Sequence, residues 1–219
     1  IYHTYFFTIL VFLISPFSMA ILPVYTYDHP LLKQVAKPVE DISDELTTFV
    51  KNMFETMNNA DGIGLAANQV GDARAITVID LSDVEEEKKG SKIKTPPMVL
   101  INPVITAYSP ETSEMEEGCL SLPTYRDTIT RPEKIQVRFY DLQMHEHHLE
   151  AEGLLARVMQ HEIDHLSGKY FFEYLSPVRR AMAHPKLRRI QLGQAKADYP
   201  LYHPKAKSLS QTRFSKGRK

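Results

Sequence analysis

The chain has 219 residues, 43% hydrophobic and 24% charged, with a formal net charge of -1. These ordinary globular values exclude a disordered or polytopic membrane protein, and the length suits one domain with one site. Cys119 is the only cysteine, which excludes an internal disulfide, directs attention to ligation or reactivity, and favours a reducing compartment.

Residues 1–27 carry no charged side chain apart from His3 when protonated, and Tyr5 to Ile14 form a nearly unbroken apolar run. That run is short of the roughly 20 residues a membrane span needs, and it lacks the basic flank of a secretory signal. Met19 opens "MAILPVYTYDHP", so residues 1–18 read as sequence from upstream of a start at Met19, or as a leader. No stable membrane insertion is expected. The expected location is cytoplasmic, or organellar if 1–18 belong to a leader.

Beyond "HPLLKQVAKPVED", an extended lead-in, Ser43 is placed to cap a helix. Leu46, Phe49, Val50, Met53 and Met57 follow at helical spacing, and Gly62 breaks the pattern. Ala75–Leu81 and Met98–Tyr108 read as strands across a charged loop, "SDVEEEKKGSKIKTP". "EKIQVRFYDLQMHEHHLEAEG" reads as a hairpin turning near Met144 to His147, which makes the histidines of "HEHH" loop residues rather than a second metal site. "LLARVMQHEIDHLSG" then aligns Leu154, Leu155, Val158 and His161 on one helical stripe, with Gly168 as stop. The expected class is α+β, with mostly antiparallel strands packed around a central helix that carries HExxH. From Arg179 to the end twelve basic residues face one acid, Asp198, whereas the preceding part carries fourteen basic and 26 acidic residues. The expected arrangement is residues 1–18 as leader or upstream segment, 19–185 as catalytic domain and 186–219 as a basic tail.

On a helix His161 and His165 share a face and present two ring nitrogens to one cation, with Glu162 beside the first of them. Two surface histidines on an amphipathic helix are the plain alternative. The third ligand lies elsewhere, because Phe171 stands where the metzincin pattern requires its last histidine. Nothing around Glu173 favours it. Cys119 is the better donor, since a thiolate with two imidazoles suits zinc or ferrous iron and leaves a position open; taken without context, a lone cysteine reads first as a small buried hydrophobe. In "EMEEGCLSLP" Gly118 allows close backbone approach and Leu120 offers an N–H, and "GIGLAANQ" brings a second glycine-rich segment with the Gln69 amide.

Together "GIGLAANQ", "EGCLS" and "QHEIDH", in that order, resemble the three signature segments of the peptide deformylase family, over Met19 to about Pro185. The resemblance implies removal of the N-formyl group from the initiator methionine of nascent polypeptides, with release of formate. It implies Cys119, His161 and His165 as ligands of one divalent ion, Fe2+ first with Zn2+ or Ni2+ as alternatives, and Glu162 as general acid and base. Gln69 and the Leu120 N–H would meet the oxyanion; Ile63, Gly64 and Gly118 would flank the peptide backbone, and Val158 with His161 the methionine side chain. N-formylmethionyl peptides are the expected partners, with ribosome docking through the basic tail and no DNA. Two rivals are a binding protein with a structural metal, which normally needs four protein ligands where three are found, and an amidase for another acyl group.

Overall fold

The structure, a computed structural model, describes residues 20–84 and 95–203. The apolar run at 5–14, the whole of 1–18, most of the charged loop and the last sixteen residues lie outside the described residues. In chain order the elements are β1 (Val24–Tyr25), α1 (Asp44–Asn59), β2 (Gly64–Ala66), β3 (Ile76–Ile79), β4 (Met98–Tyr108), β5 (Thr112–Gly118) and β6 (Arg126–Pro132). They continue with β7 (Lys134–Tyr140), β8 (Glu146–Glu152), α2 (Gly153–Leu166), α3 (Pro177–Gln191) and β9 (Leu201–Tyr202).

Helix α1 begins where its sequence dictates. The Ser43 hydroxyl accepts the Leu46 N–H at 3.1 Å, and Asp44 and Glu45 lie at the positive end of the helix dipole. Its buried stripe, Leu46, Val50, Met53 and Met57, packs with Leu65, Ile76, Val78 and Ile101 of the sheet.

Strands β2, β3, β4, β7 and β8 form an antiparallel five-stranded sheet in that order. The β4–β7 register slips between Ile101 and Val104. There Asn102, at φ 50°, turns its amide on Val39, accepting its N–H and donating to its carbonyl, each at 2.8 Å. The β7–β8 turn closes earlier than expected, so that Glu146 to His148 already lie in β8. The cause is Asp141, whose Oδ1 accepts the N–H groups of Gln143 and His145 and tightens the connection. His147 and His148 are exposed and pair with Asp141 and Glu146.

Helix α2 lies on this sheet, with Ala156, Val158 and Met159 against Ile79, Ile135, Val137 and Phe139. It ends as its sequence requires: Gly168 adopts φ 74°, where a Cβ would stand 2.7 Å from the Lys33 carbonyl oxygen. The chain is therefore a mixed fold of helices and antiparallel sheet. Among the described residues no helix is long and apolar enough to cross a membrane.

The β5–β6 hairpin, helix α3 and strand β9 were not expected. The β5–β6 hairpin, paired from Thr112↔Pro132 to Gly118↔Arg126, holds Cys119 to Tyr125 in its connection. Helix α3 carries the chain across the boundary expected at Pro185 without a break, and Ala183, Leu187 and Ile190 are buried against Leu122, Ile129 and the ring cluster Tyr125, Tyr170, Phe171 and Phe172. The chain then returns as β9, parallel to β1. The packed structure thus continues to His203.

Candidate active site

Three elements deliver the site. Helix α2 contributes His161, Glu162 and His165, all buried; the β5–β6 connection contributes Cys119 and Leu120; and a 3-10 turn after β2 contributes Gln69. The donor atoms of Cys119, His161 and His165 lie within 4.8 Å of one another. Cys119 Sγ is 3.2 Å from His165 Nε2, and the two imidazoles meet edge to face with centroids 5.0 Å apart.

Glu117, 4% exposed, fixes the orientation of His161: its Oε2 faces His161 Nδ1 at 2.8 Å, leaving Nε2 as the inward nitrogen. Arg131 grips the same carboxylate with two hydrogen bonds, of 2.7 and 3.1 Å, and Arg157 adds one of 2.8 Å. Arg131 also donates to Asp164 at 2.5 Å, and Asp164 accepts from the Tyr174 hydroxyl at 3.0 Å, so Asp164 is a structural carboxylate. Burial alone would raise the pKa of Glu117, but His161 and Arg131 outweigh it and hold the carboxyl at about 2. Phe171, which replaces the metzincin histidine, stacks on His161.

The donor set suits a cation. Burial disfavours charge on His161, yet the hydrogen bonds it gives to Cys119 and Glu117 raise its pKa to about 10, so the cluster favours a positive charge at that point. Burial and the neighbouring His161 lower His165 well below the usual imidazole range. A thiol and two imidazoles, converging in the interior, fit a borderline divalent ion of the zinc or ferrous type.

Glu162 points into the same space. Burial pushes its carboxyl up to about 7, and its Oε2 has no hydrogen-bond partner. Gly64 makes this position accessible: a methyl group there would collide with the Glu162 carboxylate and come within 2.9 Å of Val158. Gln69 Oε1 accepts the Ala66 N–H at 2.8 Å, which aims Nε2 at Cys119 Sγ (3.4 Å) and Ser121 Oγ (3.2 Å).

These groups open onto a cleft of about 670 Å3 lined by Ile63, Gly64, Gly118, Leu120 and Val158, with Tyr199 and Lys186 on its C-terminal side. His165 lies behind the lining. The residues that the resemblance implies, Ile63, Gly64, Gln69, Gly118, Cys119, Leu120, Val158, His161, Glu162 and His165, are thus brought to this one place.

Glu117, Arg131, Arg157, Ser121 and Tyr199 were not anticipated. Glu117 stands in an acidic run with nothing to single it out, and Arg131 and Arg157 lie far from it in sequence. Tyr199 sits within a stretch taken for tail; its hydroxyl donates to the Leu120 carbonyl at 2.9 Å.

Comparison with known proteins agrees with this geometry. The sequence profile of the family described as Polypeptide deformylase matches residues 21–181. The chain is 46% identical over 183 residues to a peptide deformylase of Salinibacter ruber, covering 83% of this chain and 94% of that one. Among solved structures it resembles a peptide deformylase from Legionella pneumophila (TM-score 0.69, 39% identity, 80% of this chain and 98% of that one). It also resembles one from Ehrlichia chaffeensis in complex with actinonin (TM-score 0.71, 36% identity, 81% and 100%). The chain belongs to the peptide deformylase family, metal-dependent hydrolases of protein biosynthesis that remove the N-formyl group from nascent polypeptides.

Proposed function

We propose that this chain deformylates the initiator methionine with Cys119, His161 and His165 as the ligands of one divalent ion, Glu162 as proton carrier, and Gln69 and the Leu120 N–H as oxyanion donors. The observation that carries this reading is the convergence of three donor atoms within 4.8 Å of one another beside a buried carboxyl with one unpartnered oxygen. Ferrous iron is the ion we assign, with zinc or nickel as substitutes. Held there, it supplies Lewis acidity, which acidifies water and polarises a carbonyl.

The rest is performed by the chain's own groups. Glu162 takes the proton of the attacking water at its free oxygen and returns it to the leaving nitrogen, without which the amide bond does not break. A carboxyl pushed up to about 7 exchanges protons readily near neutrality. The Gln69 amide and the Leu120 N–H meet the oxygen on which negative charge develops, each worth about 3 kcal/mol in the transition state. Ile63, Gly64 and Gly118 run beside the peptide backbone, and Val158 forms an apolar wall for the methionine side chain. Placing HExxH on a helix surrounded by strands belongs to the same reading, as does a catalytic domain that starts near Met19.

The test is formate release from formyl-Met-Ala-Ser by protein starting at Met19, loaded with iron or nickel, beside Glu162→Ala. We expect the variant to keep its metal and lose at least about 100-fold in rate. Equal activity of parent and variant would remove Glu162 from the chemistry, and cleavage of acetyl-Met-Ala-Ser as fast as the formyl peptide would indicate a different acyl substrate.

The basic C-terminal tail is assigned to ribosome docking. Residues 204–219 hold six Lys and Arg and no acid, which suits a salt-sensitive attraction to RNA phosphates. Cosedimentation with ribosomes at low salt should fall when the chain is cut after His203; unchanged cosedimentation removes the idea.

A further inference from the structure

The loop that carries Cys119 is held by its carbonyls. The Cys119 carbonyl accepts the Leu122 N–H at 2.9 Å, the Leu120 carbonyl accepts the Tyr199 hydroxyl at 2.9 Å, and the Ser121 carbonyl accepts the Tyr27 N–H at 3.0 Å. A carbonyl and the next N–H share one rigid plane, so fixing these oxygens fixes the planes on both sides of the Leu120 Cα, including the one that carries its N–H.

Two of the three clamps come from the small parallel sheet. After α3, Gly193 at φ 68° turns the chain back. The Val24 N–H then donates to the Pro200 carbonyl at 2.9 Å and the Thr26 N–H to the Tyr202 carbonyl at 3.0 Å. Tyr25 stacks on Tyr202 with centroids 4.6 Å apart, and Leu201 and Tyr199 pack against the core that contains Val24. The strand pair is therefore anchored by its own backbone hydrogen bonds and ring stacking as well as by the core it shares with Leu120. Tyr27 stands two residues after the end of β1 and Tyr199 two residues before the start of β9, so the clamps project from the two ends of the pair.

We infer that the β1–β9 pair is a brace for the catalytic loop, and that Tyr199 is a positioning residue: by fixing the Leu120–Ser121 peptide plane it restrains rotation at the Leu120 Cα and so keeps the Leu120 N–H in line for the oxyanion. The inference rests on the reading of Leu120 as an oxyanion donor. Donors of this kind act through being fixed in advance, so a loosened loop binds the ground state as before and loses its grip on the transition state.

The experiment compares the full-length, metal-loaded enzyme with Tyr199→Phe, which removes one oxygen and keeps the ring in the core. The expected result is a kcat for formyl-Met-Ala-Ser lowered roughly three- to tenfold, as for one lost hydrogen bond, at unchanged metal content and unchanged KM. Affinity for the product Met-Ala-Ser should stay the same. Amide hydrogen exchange in the zinc-loaded proteins, read on the segment from Gly118 to Leu122, should be faster in the variant. An unaltered kcat, a loss expressed in KM, or unaltered exchange overturns the brace. Failure of the parent to release formate sinks the deformylase reading instead, and loop exchange still decides whether Tyr199 holds the loop.

Discussion

Glu117 is the residue on which most of the site's order converges, because a single carboxylate accepts from His161, Arg131 and Arg157. Neutralising it removes the charge that balances two buried guanidinium groups, leaving Arg131 with Asp164 and Arg157 with the Ile129 and Ser113 carbonyls, which typically costs about 3–5 kcal/mol, and frees the His161 ring to rotate. For Glu117→Gln we expect that loss in denaturant unfolding and a metal affinity weaker by about 10- to 100-fold in a chelator competition. Wild-type affinity in a folded variant would mean that Phe171 stacking alone orients the imidazole. The candidate ligands Cys119, His161 and His165 were legible in the sequence because HExxH on a helix and a glycine-flanked cysteine advertise metal chemistry. Glu117 was not, since only the fold shows that this member of an acidic run turns inward to meet arginines 14 and 40 residues away.

At the scale of elements, legibility followed hydrophobic contrast. Helix α1 announced itself through Ser43 and the stripe Leu46, Val50, Met53 and Met57, and α2 through Leu154, Leu155 and Val158. Ser43→Ala should cost about 1 kcal/mol in urea unfolding, because it leaves the Leu46 N–H without its acceptor. Formate release should be untouched, since α1 reaches the site only through the core. Strand β5, "TSEMEEG", alternates with almost no apolar residue to mark a buried face, because its inward group is a charge satisfied by other charges. Helix α3 hid for a different reason: its face carries arginines between Ala183, Leu187 and Ile190, and Pro185 stands inside it where a sequence reading ends a helix. Ser176 and Pro177 do form a good start, with the Ser176 hydroxyl accepting the Arg179 N–H, a signal that the basic composition masked.

The molecule as a whole combines an acidic body with a basic end, and its two described termini meet in the β1–β9 pair. That junction carries a pH dependence. His29 follows β1, lies against Tyr25 and Tyr202, and uses Nδ1 to accept the Leu31 N–H at 3.2 Å. Burial lowers its pKa below 6.5, so the folded state favours the neutral ring, and protonation removes the acceptor. Its contribution to stability is complete above the unfolded pKa and declines as the pH falls below about 6.5. Between pH ~7 and ~5.5 the melting temperature should fall more steeply for the parent than for His29→Asn, which keeps an acceptor that does not titrate. Parallel slopes would assign acid sensitivity to other groups.

The same junction also sets the order in which the enzyme comes into being. Thr26 and its partner Tyr202 are separated by 176 residues, and synthesis proceeds from one to the other. The first strand of the pair waits for the second, so the loop that carries Cys119 gains its clamps only after the long stretch between them has been made. An enzyme that works on unfinished chains is thus, by its own topology, itself unfinished for as long as the second of these strands has yet to emerge.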